Sequence, residues 1–196
     1  LVFPQYKSQS LVDHLEEGWN IFSGDLGHYL RIAAPQQRTG KEWYRGTADC
    51  VRQNLYMLER ERPRYVLILS GDHVYKMDYA AFRQYHEEKK ADVTVGLLEV
   101  DRAHASDFGI AEVDGDFRIR SWEEKPSDPK PIPDDPERSL ASMGIYRFRT
   151  DLLLDVLHKT DHDDFGKDII PELIRELNVV AYPYCRLNRI TDYIHV

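Results

Sequence analysis

The apolar run Tyr65–Leu69, directly followed by Ser70-Gly71-Asp72, constrains the fold of this chain more than any other stretch. An unbroken apolar run of this length is typical of a strand that is buried on both faces, as in a parallel sheet flanked by helices. In such sheets, ligands bind just beyond the carboxyl ends of the strands. Asp72 is therefore a candidate Mg²⁺ ligand, because hard cations take oxygen ligands. Its alternative role is to cap the helix that follows.

Composition and charge restrict the class of protein. A length of 196 residues fits one domain with a sizeable core. The formal net charge of −8 argues against a nucleic-acid surface, which needs a basic stripe, and no apolar run approaches the roughly 20 residues of a membrane span. Cys50 and Cys185 belong to no CxxC pair, so we expect reduced thiols. We therefore expect a cytoplasmic protein that binds neither nucleic acid nor membranes.

Periodicity and capping signals predict alternating helices and strands. We predict helices that begin near Ser8 or Ser10 with a stripe of Leu11, Leu15 and Trp19, then from Thr47 to Pro63 and over 78–90, 151–158 and 168–177. We predict strands over 29–33, 65–69, 91–100, 140–148 and 179–182. Two further strands, Ile110–Val113 and Phe117–Trp122, flank Asp114-Gly115, a hairpin signal. The sequence thus predicts an α/β fold with a mostly parallel central sheet flanked by helices and a β-hairpin insertion.

The segment Pro35–Gly46 and the helix start that follows it suggest a nucleotide site. Trp43-Tyr44-Arg45 places aromatic side chains beside an arginine, which suits base stacking and phosphate contact. The alternative is that the aromatic side chains pin the loop to the core. Thr47 is a good N-cap, and the free N–H groups of a helix start can bind a phosphate.

Other polar motifs follow the hairpin. A lysine beside a carboxylate, as in Glu124-Lys125-Pro126, can hold a sugar phosphate while the carboxylate accepts sugar hydroxyls. The alternative is a solvated charge cluster. Gly144 lies inside a predicted strand, where a ligand or another backbone segment can approach closely. His158 and His162 suggest zinc, but an HExxH pattern and a third ligand at defined spacing are missing.

Five sequence blocks, taken together, make this chain similar to the bacterial ADP-glucose pyrophosphorylases, also called glucose-1-phosphate adenylyltransferases. The blocks are Trp43–Asp49 (WYRGTAD), Ser70–Tyr75 (SGDHVY), Glu124–Pro126 (EKP), Ser139–Tyr146 (SLASMGIY) and Asp164–Asp168 (DFGKD). Their order and spacing match over residues 1–184. The second and third blocks are shared among sugar-nucleotide pyrophosphorylases, whereas the other three narrow the resemblance to the ADP-glucose branch.

The resemblance implies a Rossmann-like nucleotidyltransferase fold and Mg²⁺-dependent synthesis of ADP-glucose from ATP and glucose 1-phosphate, for glycogen synthesis. It implies that Asp72 holds the metal and that Asp72 and Lys125 act in catalysis. The implied glucose 1-phosphate site contains Tyr44, Gly109, Glu124, Lys125, Ser142, Asp164 and Phe165. The implied nucleotide site contains Trp43, Gly46 and Thr47. The full-length family is typically homotetrameric, and Arg60 matches a position linked to effector binding.

The sequence also departs from the family pattern. The glycine-rich loop GGxGxRLxPLT has no counterpart among the 11 scattered glycines. Cys185–Ile190 (CRLNRI) stands where the family has WRDVGT, whose aspartate is the second metal ligand, and the C-terminal β-helix domain has no counterpart. We therefore interpret 1–184 as a partial catalytic domain, inactive alone, and 185–196 as a divergent tail. The alternatives are a non-catalytic sugar-phosphate-binding or regulatory subunit of the family, and a pyrophosphorylase that uses another NTP.

Overall fold

The computed structural model describes residues 1–5, 7–19, 21, 27–33, 43–133, 135–184 and the backbone of 193–195. They form two compact units, Leu1–Glu61 and Arg62–Val196. Residues 35–42 and 185–190, which the sequence analysis discussed, lie outside the described residues; Cys185 is one of them. Within the described part, no helix is both long and apolar enough to cross a membrane.

The described part of the first unit contains helices α1 (Gln9–Gly18), α2 (Thr47–Arg52) and α3 (Leu55–Glu61). Of the apolar stripe predicted for α1, only Leu15 is buried. The prediction is wrong for Leu11 and Trp19, which are 41% and 46% exposed. Trp19 lies past the last helical residue, and Leu11 lies in the first turn. The strand predicted over 29–33 is reduced to one parallel bridge between Val2 and Ile32.

The helix predicted from Thr47 to Pro63 is divided into α2 and α3 at Asn54. The Asn54 side-chain amide donates to the Cys50 carbonyl at 2.9 Å, and its backbone N–H donates to the Val51 carbonyl at 3.0 Å. An asparagine side chain that bonds to neighbouring backbone competes with the helical ladder, so the break has a local cause. The sequence predicts a buried stripe of Val51, Leu55 and Leu58 on this helix; Val51 and Leu55 are buried, and Leu58 is half-buried.

The second unit is built on a six-stranded sheet. Its strands are β1 (Tyr65–Ile68), β3 (Val93–Asp101), β4 (Gly109–Val113), β5 (Ile119–Glu124), β6 (Arg138–Arg149) and β7 (Val179–Pro183). The order across the sheet is β5-β4-β6-β3-β7, and β1 also pairs with β6. A smaller antiparallel pair joins β2 (His73–Tyr75) to β8 (Tyr193–His195).

The predicted α/β class, with a central sheet flanked by helices, is confirmed. β1, β3, β4 and β7 run in one direction, but β6 runs in the opposite direction and lies between β3 and the pair β1 and β4. Neighbouring strands are therefore mostly antiparallel, and β3–β7 is the parallel pair in the described sheet. A strand that is covered on both faces has a similar apolar pattern in a parallel and in a mixed sheet. Periodicity therefore did not reveal that β6 runs antiparallel to its neighbours.

The expectation that the run Tyr65–Leu69 is buried on both faces is wrong. All four residues of β1 are half-buried, and Leu69 is 46% exposed. Among the described strands, β1 pairs with β6 alone, so one of its edges has no neighbour there. The fully buried run is instead Val93–Leu98 of β3, which pairs with β6 and β7.

The predicted hairpin is confirmed as β4 and β5. Asp114 organises its turn, because one carboxylate oxygen accepts two backbone N–H groups, including that of Arg118, at 3.0 Å. The start of β5 also reaches the far edge of the sheet. Arg118 forms an antiparallel bridge with Val180 of β7, and the Ala181 N–H donates to the Phe117 carbonyl at 2.8 Å. The hairpin is thereby held at both edges of the sheet.

Helices connect these strands. α4 (Tyr79–Glu88) begins at Asp78, whose carboxylate accepts the N–H groups of the next turn, and it connects β2 to β3. α5 (Thr150–Lys159) packs against β6 and β1. The helix predicted over 168–177 is instead a π-helical turn, Phe165–Ile169, that continues into the short α6 (Ile170–Leu173).

Candidate active site

Glu124, the last residue of β5, lies opposite Gly109 in the β4–β5 ladder. A Cβ atom on Gly109 would lie 2.7 Å from the Glu124 Oε2 atom and 2.7 Å from the Trp122 ring. A Cβ atom on Gly166 would lie 3.2 Å from the same oxygen. Two glycines, one from β4 and one from the π-helical turn, therefore leave the space that the Glu124 carboxylate occupies.

The space above Gly166 brings three oxygen atoms together. The position that a Cβ atom would take on Gly166 is 3.2 Å from Glu124 Oε2, 3.4 Å from the Tyr146 hydroxyl and 3.5 Å from Asp164 Oδ1. These groups come from β5, β6 and the start of the π-helical turn. The Phe165 side chain is fully buried, and its ring centroid lies 5.7 Å from that of Tyr146. Phe165 therefore supports the site from inside the core.

The charges around Glu124 act in opposite directions. Burial raises the pKa of Glu124, and the nearby Asp164 carboxylate raises it further. The Lys125 and Lys167 ammonium groups lower the pKa of Glu124, so both cations lie close enough to act on it. Two carboxylates beside two lysines can accept hydroxyl groups and balance the charge of a phosphate. Perturbed groups of this kind cluster at functional sites.

Tyr146 adds a hydroxyl that the sequence analysis did not single out. Burial holds the pKa of Tyr146 above its ordinary value, the Ser142 hydroxyl opposes this, and the two nearby carboxylates reinforce it. Tyr146 is therefore protonated at neutral pH and can donate a hydrogen bond. Ser142 also accepts the Gly144 N–H at 3.2 Å. The signal for Tyr146 was its place at the end of the SLASMGIY block.

Lys125 has a strained backbone, with φ at +47° in the left-handed region. Residues other than glycine rarely adopt this conformation, and where they do the surroundings hold them there. The Lys125 N–H donates to the Phe108 carbonyl at 3.0 Å, which fixes the residue beside the start of β4. Strain of this kind is concentrated at ligand sites, so it supports the site predicted at Lys125.

Asp72 lies in the connection between β1 and β2, and its side chain is 66% exposed. The Ser70 hydroxyl donates to Asp72 Oδ1 at 2.5 Å, and His73 Nδ1 lies 3.1 Å from the same oxygen. The contact with Ser70 is the largest cause that lowers the pKa of Asp72, so the carboxylate is ionised at neutral pH. The alternative in which Asp72 caps the following helix is wrong, because Asp78 caps α4.

Gly144 connects Asp72 to the rest of the site. Its φ is +63°, and a Cβ atom there would lie 3.1 Å from Ser70 Cβ. The close approach predicted at Gly144 is therefore confirmed, and it is made by the loop that carries Asp72. This contact places the loop against β6, the strand that also carries Ser142 and Tyr146.

Metal ligands are sparse in the described part of the chain. Among the described residues, no group of three or more His, Cys, Asp or Glu side chains could hold a metal ion. The zinc pattern at His158 and His162 forms no such group, and His162 Nε2 lies 2.9 Å from Glu172 Oε1. Mg²⁺ usually binds through one or two carboxylates, with waters and substrate phosphates as its other ligands. An exposed, ionised Asp72 fits this mode.

The predicted nucleotide residues lie in the first unit. The prediction that Thr47 is the N-cap is wrong, because the extended Gly46 is the N-cap and Thr47 is the first residue of α2. Asp49, the third helical residue, reaches back to the preceding loop, since its Oδ2 accepts the Arg45 N–H at 3.0 Å. Trp43 is 49% exposed. The loop before α2 is thus held by a buried carboxylate.

Tyr44 is buried within the first unit. Its hydroxyl accepts from the Asn54 amide at 3.0 Å and lies 3.5 Å from the Ala33 carbonyl, to which it donates. Burial raises the pKa of Tyr44. For Tyr44, the structure therefore favours the alternative in which an aromatic side chain pins the loop. The other predicted sugar-phosphate residues belong to the second unit, namely Gly109, Glu124, Lys125, Ser142, Asp164 and Phe165.

Comparisons with known sequences show the family of this chain. Residues 1–187 match the family model described as nucleotidyl transferase. Proteins named glucose-1-phosphate adenylyltransferase are 51% identical in Alkalilimnicola ehrlichii, 50% in a Shewanella species and 47% in Methylococcus capsulatus. Each match covers 93% of this chain and 44–45% of the relative. The chain therefore spans about half the length of the curated relatives it matches.

A structural comparison supports the fold. The crystal structure of HddC from Yersinia pseudotuberculosis superimposes with a TM-score of 0.64 at 17% sequence identity. The match covers 98% of this chain and 70% of that chain. The resemblance inferred from the five sequence blocks is confirmed by the curated relatives. From residue 1 to residue 187, this chain belongs to the nucleotidyl transferase family.

Proposed function

We propose that this chain contains the sugar-phosphate site of an enzyme that forms ADP-glucose and pyrophosphate from ATP and glucose 1-phosphate. The observation that carries the proposal is the convergence of the Glu124, Tyr146 and Asp164 oxygen atoms around one point, with Lys125 close to Glu124. The names of the curated relatives support the same activity.

The chemistry of these side chains suits glucose 1-phosphate. Glu124 and Asp164 are acceptors for sugar hydroxyls, and the protonated Tyr146 is a donor, so a polyol ring meets both kinds of partner. Lys125 supplies a compact positive charge for the phosphate. Hydrogen bonds between charged and polar groups are stronger than neutral ones, so these contacts orient the ring.

We propose that Asp72 binds Mg²⁺ and that Lys125 holds the attacking phosphate. A phosphate oxygen of the sugar phosphate forms a bond to the α-phosphorus of ATP, and the bond to the pyrophosphate leaving group breaks. Bound Mg²⁺ would neutralise phosphate charge. Catalysis of this kind consists mainly of positioning and charge stabilisation, which are the tasks assigned to Lys125 and Asp72.

The proposal also covers the residues that bind the nucleotide and the oligomeric state. The exposed Trp43 offers a face for base stacking, and Gly46 and Thr47 offer backbone N–H groups at the start of α2. The family pattern supports a cytoplasmic homotetramer that acts in glycogen synthesis under effector control. Titrating ATP and glucose 1-phosphate separately against site variants tests these assignments.

We expect Lys125→Ala, in the full-length protein, to weaken the apparent affinity for glucose 1-phosphate by about 2–4 kcal/mol, the scale of a lost charged contact. The KM for glucose 1-phosphate should rise more than kcat falls, because the contact exists before and during the reaction. Lys130→Ala is the matched control, since Lys130 is exposed and pairs with Glu112. If the KM for ATP rises while that for glucose 1-phosphate does not, Lys125 belongs to the nucleotide site.

Asp72→Asn should reduce turnover by a factor of about 10³ or more, because a neutral amide is a poor Mg²⁺ ligand. The free energy of unfolding should change little, since the amide oxygen can still accept from Ser70. Steady-state kinetics across a Mg²⁺ titration and urea denaturation measure the two effects. Near-normal turnover would remove the metal assignment.

Glu124→Gln should abolish turnover while leaving the protein at least as stable at pH 7. The pKa of Glu124 is raised in the folded state, chiefly by burial, so its negative charge costs folding free energy above that pKa. The advantage of the variant should disappear as the pH falls and both states bind a proton at Glu124. Thermal unfolding from pH 7 to pH 4 tests this. A variant that is much less stable at pH 7 would indicate a structural role for the charge.

A further inference from the structure

A group of positive charges on the second unit takes no part in the proposed site. Its centre is Arg147 of β6, which lies opposite Leu67 of β1 and Thr94 of β3. Arg147 is only 7% exposed. Its guanidinium carbon lies 4.3 Å from the centroid of the Tyr65 ring, a cation–π contact.

Buried charged side chains usually have a hydrogen-bonded partner of opposite charge, and the described residues give Arg147 none. The Nε atom is buried and has no hydrogen-bond partner, and no described carboxylate lies within ion-pair distance of the guanidinium. Buried charges in proteins are normally paired, because removing a charge from water is costly. A buried donor of this kind takes its acceptor from a water or from an ion.

Two more arginines lie near Arg147, and one of them, Arg64, also contacts the Tyr65 ring. The Arg64 guanidinium carbon is 5.0 Å from the Tyr65 centroid, and Arg83 belongs to α4. Burial lowers the pKa of Arg147 most, and the charges of Arg83 and Arg64 lower it further. Both side chains are exposed, so an anion can reach them from solvent.

Glu87, His86 and Arg149 are other titratable groups in this region. The Glu87 carboxylate raises the pKa of Arg147. His86 contributes no charge at neutral pH, because burial lowers its pKa to about 4. Arg149 is already paired with Asp92 at 3.0 Å and with Asp151. The excess charge therefore belongs to Arg64, Arg83 and Arg147.

We propose that Arg64, Arg83 and Arg147 form a second anion site, which binds a phosphate group. The guanidinium fork donates two parallel hydrogen bonds to phosphate oxygens, and arginine stacks well on an aromatic face, as at Tyr65. The phosphate belongs either to inorganic phosphate or to a small phosphomonoester. The residues that form this site differ from those of the Lys125 site, although β6 contributes to both, with Arg147 here and Tyr146 there.

Calorimetric titration of the 196-residue chain with inorganic phosphate, in chloride buffer at fixed ionic strength, tests the proposal. Arg147→Met should weaken phosphate binding at least about tenfold, the scale of one charge-assisted hydrogen bond. Arg175→Met is the matched control, because it removes one exposed arginine from the turn after α6 and should bind phosphate like the parent. Lys125→Ala should also keep this binding, which distinguishes the two sites.

A second pair of measurements guards against misfolding of a core variant. Arg83→Ala changes an exposed helix position and should also weaken binding several-fold. In phosphate-free buffer, Arg147→Met should unfold at the same temperature as the parent or higher, because it removes an unpaired buried charge. Equal phosphate binding by the parent, Arg147→Met and Arg83→Ala would overturn the proposal, as would a large loss of stability for Arg147→Met without phosphate. Tighter binding of methyl phosphate than of inorganic phosphate would identify a phosphomonoester, and the reverse would identify the free anion.

Discussion

The pairing of β6 with β3 is the interaction on which the rest of the second unit depends. β3 supplies the fully buried run Val93–Leu98, and β6 pairs along it while accepting β1 and β4 at its other edge. Each part of the candidate site lies on β6 or is positioned by it. Ser142 and Tyr146 belong to β6, Gly144 receives the Asp72 loop, and β4 aligns the hairpin that ends at Glu124.

Several features of the site suit ligand binding but lower the free energy of unfolding. Burial and the neighbouring Asp164 carboxylate raise the pKa of Glu124, so the folded protein disfavours its negative charge. Lys125 occupies a left-handed backbone conformation that costs of order 1–2 kcal/mol. Glycines at 109 and 166 leave the carboxylate its space. Burial of apolar side chains elsewhere in the second unit, such as Val93, Val95 and Leu97 of β3, offsets these costs.

Sequence reasoning located the local features and missed those that depend on tertiary neighbours. The hairpin was predicted correctly because its turn signal is encoded in a few consecutive residues. The position of β6 between other strands depends on distant pairing, which periodicity does not report. The prediction placed the helix start one residue late, since the N-cap is Gly46 and Thr47 is already helical. Tyr146 and Gly166 were missed as site residues because their roles depend on contacts with residues that are distant in the sequence, such as Glu124.

The central claim is that glucose 1-phosphate binds where three oxygen atoms surround Gly166. Gly166→Ala places a methyl group within 3.5 Å of all three, whereas a Cβ atom on Gly115 in the hairpin turn would meet nothing within 4 Å. Calorimetric titration of glucose 1-phosphate into the parent, Gly166→Ala and Gly115→Ala measures the effect, with circular dichroism to confirm folding. We predict binding by the parent and Gly115→Ala, and at least about tenfold weaker binding by a folded Gly166→Ala. Equal affinity for all three proteins would contradict the account.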